Sequence, residues 1–120
     1  MALRAIRGAT QVEANERELI LEATTELVTE VMTRNELMID DVVSVLFTTT
    51  SDLTAEFPAA AARKLGFGEV PMLCASEIDV PGALPRVVRL MAYAETERTR
   101  GDIRHVYLRG AVALRRDIAQ

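Results

Sequence analysis

The sequence predicts an α+β fold: a mixed β-sheet with a long helix on one face and a short helix beside it. Three observations lead there. An apolar stripe at helical spacing runs through residues 19–32. Short runs rich in β-branched residues surround it. The elements follow the order β-α-β-α-β-β-β, which mixes hairpin and crossover connections. With 120 residues, 49% of them hydrophobic, the chain is sized for a single domain, residues 1–120, with a real core.

Residues 3–12, LRAIRGATQV, read as an N-terminal strand. Asn15 with Glu18 has the spacing of a capping box. Behind it, Leu19, Ala23, Leu27 and Val31 recur at every fourth position, and Ile20, Val28 and Met32 widen the stripe. This predicts an amphipathic helix of about five turns, fading near Arg34 and Asn35. After Asp40-Asp41, VVSVLFTTT (42–50) reads as a buried strand. Phe57-Pro58 opens a short helix, AAAARKL, closed by Gly66. VPMLCAS (70–76) is a third strand, DVPG (79–82) a tight turn and PRVVRLMAYAET (85–96) a fourth strand. In HVYLRGAVALR (105–115), Val106, Leu108, Val112 and Leu114 alternate with Tyr107, Arg109, Ala111, Ala113 and Arg115, the pattern of a fifth strand. Its second face carries Tyr107, Arg109 and Arg115, neither plain core nor plain surface. A subunit interface is a natural explanation.

Composition removes several function classes. Net charge is −4, from 18 acidic and 14 basic residues, against the basic face of a nucleic-acid binder. No apolar run approaches the ~20 residues that span a bilayer. The opening residues lack a signal-peptide stretch. A soluble cytoplasmic protein that engages no membrane is expected, and the lone Cys74 agrees with a reducing compartment. There is no GxGxxG, no phosphate-binding GxxxxGK[ST], and no metal-ligand companion for His105, so neither cofactor nor metal is expected. Cys74 and His105 could pair as nucleophile and base, but nothing in the sequence supplies their geometry. A lone cysteine in an apolar strand is more often core filler.

Arginine remains. It makes up 13 of the 14 basic residues. A GC-rich genome produces such a bias, and so does a need for planar forks that grip carboxylates. Arg89 interrupts the apolar run VVRLM, where a guanidinium needs a partner. A structural ion pair and a ligand are equally fitting partners. Arg7, before Gly8, reads otherwise as an exposed strand-end charge. Glu77 and Asp79 follow the third strand in CASEIDVPG, where acidic residues also shape turns. Tyr107 is as ready to pack as to bind. Arg115 and Arg116, taken alone, face solvent.

Four blocks, RAIRGATQVE, SDLTAEFPAAAARKLG, VPMLCASEIDVPGALPRVVRLM and IRHVYLRGAVALR, together resemble the monofunctional, trimeric chorismate mutases of the pseudo-α/β-barrel type. The likeness covers nearly the whole chain. It implies an isomerase that converts chorismate to prephenate on the way to phenylalanine and tyrosine. It also implies a homotrimer whose sheets form a barrel-like core with active sites between subunits. On this resemblance Arg7 holds a substrate carboxylate, Arg89 reaches the ether oxygen whose bond breaks, and Glu77 accepts a hydrogen bond from the ring hydroxyl. Cys74 contacts the same hydroxyl and Tyr107 binds a carboxylate. Phe57 and Leu114 form apolar walls, and Arg63 and Arg115 attract the dianion at the mouth. Leu73 stands where the family often has threonine, leaving a backbone contact, and Ala60 where it often has lysine. The family's C-terminal tail tends to cover the site. Two rival readings stand beside it: an imine or enamine deaminase of the same trimeric fold, and a non-catalytic trimer that binds an aromatic metabolite.

Overall fold

The computed structural model describes residues 1–115; Arg116 and the tail to Gln120 lie outside the described residues. The main elements are β1 (Ala2–Gln11), α1 (Arg17–Arg34), β2 (Val42–Thr49), α2 (Ala59–Lys64), β3 (Met72–Ser76), β4 (Val87–Thr96) and β5 (Val106–Tyr107). They form one five-stranded sheet in the order β3-β2-β4-β1-β5. β4 runs antiparallel to both β1 and β2, while β3 lies parallel to β2 and β5 parallel to β1. The sheet is mixed and α1 covers one face, as the patterning predicts.

The alternation of side chains along each strand sorts the residues. Ile6, Thr10, Val45, Phe47, Val88, Leu90, Ala92 and Ala94 are buried on the helix side. There the apolar ones join Ile20, Ala23, Leu27, Val28 and Val31 of α1 in one core. A fully buried side chain of this size contributes about 1.5–3 kcal/mol. Gly8 lets α1 approach: a Cβ there would come within 3.1 Å of Leu27 Cδ1. The opposite face carries Arg7, Ala9, Leu46, Thr48, Arg89, Met91 and Tyr93. It is open over much of its area, with Leu46 37% and Leu73 66% exposed. β2 is therefore half-buried rather than buried, its residues alternating between core and open face.

The connections obey turn chemistry. Gly66, just past α2, has φ 106°. The tight turn near DVPG falls one residue late, on Val80–Ala83: the Ala83 N–H donates to the Val80 carbonyl at 3.1 Å. Pro81 and Gly82, with φ 85° at Gly82, suit a type II turn.

Two local expectations are corrected. Asn15 does not cap α1; Glu16 stands at the cap position with no side-chain bond. Asn15 instead accepts the Thr54 and Ala55 N–H groups through Oδ1 and donates to Thr54 Oγ1, fastening a distant loop. The fifth strand over 105–115 shrinks to Val106–Tyr107. At Arg109 the backbone turns to φ 53°, and Arg109–Leu114 form a 3-10 segment. Gly110 packs so closely on the Gln11 side chain that a Cβ there would overlap it. Tyr107, Ala111 and Leu114 meet Ala9 and Val87 in a small second core on the open side. Four-and-three spacing serves that packing where strict alternation would not.

Candidate active site

Three neighbouring strands bring the charged groups together. Arg89 on β4 stands opposite Ala9 of β1 and Thr48 of β2, and Arg7 stands two pairs further along, opposite Met91. All point away from α1 because they alternate with the core residues Gly8, Phe47 and Leu90. Tyr107 flanks Ala9 from β5 and is 3% exposed. Glu77 follows β3, and its N–H donates to the Thr49 carbonyl at 2.9 Å, carrying the β2–β3 pairing one step on. The Glu77 carboxylate is gripped on both oxygens. Arg89 Nε donates to Oε1 at 3.2 Å and Thr48 Oγ1 donates to Oε2 at 2.9 Å. Arg7, Leu46, Thr48, Arg89, Met91 and Tyr107 line a cavity of about 250 Å³ on this face.

Its electrostatics favour an anion. Glu77 offsets Arg89, while the Arg7 guanidinium has no hydrogen-bond or ion-pair partner among the described residues. An adjoining cavity of about 460 Å³ adds Arg4, Arg100 and His105 around Arg7. Guanidinium groups gathered in a concave site raise the local concentration of a negatively charged ligand. His105 Nδ1 accepts the Arg7 backbone N–H at 2.9 Å, which places any ring proton on Nε2. Burial first, then the charges of Arg7 and Arg115, hold its pKa below the ordinary 6.5.

The structure thus joins Arg7, Glu77, Arg89 and Tyr107 in one place. Leu114 packs at the margin of the Tyr107 cluster, and Arg115 is half-buried beyond it. Cys74 and Phe57 lie elsewhere. Cys74 pairs with Phe47 on the helix side of the sheet, packed against the main core. With Phe57, which is 66% exposed, it lines a separate cleft of about 460 Å³ beyond the ends of β2 and β3. Glu56 anchors this cleft by accepting the Phe57 N–H at 2.8 Å and Arg17 Nε at 3.0 Å. The backbone bond chiefly, with help from Arg17 and Arg63, holds the Glu56 pKa below the ordinary 4.5. Arg63 is exposed on α2, and Leu73 is exposed on the open face beside Leu46. Thr48 is the polar partner of Glu77 that sequence reasoning missed. Its hydroxyl falls at an open-face position of the TTT run, but only strand register shows that it meets Glu77.

Among the described residues no His, Cys, Asp and Glu cluster could hold a metal ion, and no helix is long and apolar enough to cross a membrane. The cavity offers charged donors and a phenol, with a fixed carboxylate bonded to two of its lining residues, a set suited to gripping an anion and balancing charge that moves within it. Residues 3–118 match the family described as chorismate mutase type I.

The chain belongs to the type I chorismate mutase family. It is 46% identical over 117 residues to chorismate mutase AroH of Thermus thermophilus, across 97% of this chain and 96% of that protein. It is 42% identical over 120 residues to chorismate mutase AroH of Bacillus subtilis (strain 168), across 99% and 94%. A solved chorismate mutase from Clostridium thermocellum superimposes with a TM-score of 0.90 at 45% identity, covering 91% of this chain and 97% of that one. The chain is thus a chorismate mutase, an isomerase, with the α+β fold of its relatives, and the deaminase reading is set aside.

Proposed function

We propose that this chorismate mutase holds chorismate in the cavity of Arg7, Arg89, Glu77 and Tyr107, and that a second copy in a homotrimer completes each site. The observation that carries the reading is the contact between Arg89 and Glu77 beside an Arg7 guanidinium that has no partner among the described residues. The reaction is a unimolecular [3,3] shift to prephenate, which needs no nucleophile and moves no proton. The enzyme has to hold the flexible side chain over the ring and favour the charge that separates as the C–O bond breaks. Arg7 and Tyr107 grip carboxylates. Arg89, held through Nε, offers its terminal nitrogens to the ether oxygen, where negative charge grows. Glu77 accepts the ring hydroxyl and faces the ring, where positive charge grows.

Leu114 supplies an apolar wall and Arg115 a charge at the mouth. The Leu73 backbone, at the β3 edge, and Cys74 beside it reach the substrate of a neighbouring copy, since in its own chain Cys74 faces the helix side of the sheet, away from Arg7 and Arg89. Phe57 arrives from a neighbouring copy, since in its own chain it lines a different cleft, and Arg63 on α2 comes with it. The open sheet face is the surface that copies share. The chain works as one domain in the cytoplasm, without cofactor.

Incubation of purified protein with chorismate tests the reaction, read as loss of chorismate absorbance and formation of prephenate. Mixing tests the shared site. Arg89→Lys and Phe57→Asp proteins, each nearly inactive, regain activity after subunit exchange if the two residues serve one site from different copies. No recovery despite verified exchange would confine the site to a single chain.

A further inference from the structure

We infer that Thr48 is a positioning residue for the rearrangement, acting through Glu77. A carboxylate on a rotatable side chain serves a fixed substrate only if both of its oxygens are held in place. Arg89 holds Oε1, but Arg89 is itself needed by the departing oxygen, and its grip at 3.2 Å is the longer of the two. Thr48 holds Oε2 from β2 at 2.9 Å. Its position is rigid: Thr48 pairs with Arg89 across β2–β4 and with Ala75 across β2–β3, so it sits on a strand fixed from both sides. It also lines the cavity itself.

The hydroxyl therefore sets the carboxylate plane from β2, whose other cavity-lining residue, Leu46, offers no side-chain donor. As the terminal nitrogens of Arg89 engage the substrate, Thr48 is the contact that keeps the Glu77 carboxylate in place. Threonine suits the position in two ways. Its branched Cβ favours the strand and restricts χ1, and its hydroxyl supplies the donor. Valine would keep the shape and lose the bond. This inference rests on Glu77 acting on the substrate, as proposed above.

The test is a double-mutant cycle with kinetics. A lost hydrogen bond to a charged group implies that Thr48→Val lowers kcat about tenfold. KM changes by less than about twofold, because a misaligned carboxylate harms the transition state more than substrate capture. Thr48→Ser, which keeps the donor, returns kcat to within roughly threefold of the parent. In a Glu77→Ala background, Thr48→Val costs nothing further, since the group it positions is gone. Circular dichroism and melting of each variant separate these effects from unfolding. Near-parental kcat in Thr48→Val, or an equal loss with and without Glu77, overturns the role of Thr48. Near-parental kcat in Glu77→Ala overturns instead the assignment of Glu77 on which it rests. Should Thr48→Val fail to fold, Thr48→Ser against Thr48→Ala makes the same comparison.

Discussion

At the scale of single residues, charge placement here serves chemistry more than stability. The Arg89–Glu77 pair is partly open to water, with side-chain exposures of 42% and 18%. Pairs of this kind contribute about 0–1 kcal/mol to folding. Arg89→Lys should therefore leave the circular dichroism spectrum unchanged while lowering kcat by about 10²–10³, the usual loss when a charged donor to a developing anion is misplaced. A kcat close to that of the parent would take Arg89 out of the mechanism. His105 makes the opposite case. Its folded pKa lies below the ordinary 6.5, through burial first and then Arg7 and Arg115. The unfolded chain consequently binds a proton more readily than the folded one. The stability that His105 contributes is whole above about pH 6.5 and is lost as pH falls through its lower folded value. Urea unfolding between pH 8 and pH 5 should show this decline. His105→Asn, which keeps an acceptor for the Arg7 N–H and does not titrate, should flatten that part of it; an unchanged slope would assign it to other groups.

At the scale of elements, two asparagines fasten parts that the sheet alone does not. Asn35, 1% exposed at the end of α1, donates to the carbonyls of Val31 and Arg104 and accepts the Arg104 N–H. It ties the helix to the segment leading into β5. Asn35→Ala strands the Arg104 peptide groups and should cost about 2–3 kcal/mol, read as a lower urea midpoint; a loss under half a unit would mean that water replaces the clamp. The same chemistry explains one limit of sequence reading. Asn15 with Glu18 has the letters of a helix cap, yet the side chain binds a loop 39 residues away, which no local pattern reveals. The long helix and the first four strands were legible because their apolar periods are long. The fifth strand was not, because a short run such as VYLRGAVAL satisfies both a two-residue and a helical period. What decides it is a nonlocal contact, Gly110 against Gln11.

For the whole molecule, the open sheet face is the main unfinished surface. In the sequence Arg7, Arg89 and Tyr107 were grouped only by the family resemblance; that they face the same way follows from strand register. Thr48 needed strand register, and the separation of Phe57 and Cys74 from the cavity needed the third dimension. If copies meet on this face, the mass in solution is three times that of one chain, and specific activity falls on dilution as subunits part. Full activity in a monomer, followed by light scattering with parallel assays, would contradict that assembly. The strand order has a further consequence, for synthesis. β1 leaves the ribosome before the other strands, yet its strand partners among the described residues are β4 and β5, beginning at Val87 and Val106. The strand that carries Arg7 must wait, without its neighbours, until most of the polypeptide has been made. Catalytic competence should therefore arrive late and all at once, and a nascent chain stalled before residue 87 should expose β1 to chaperones and proteases.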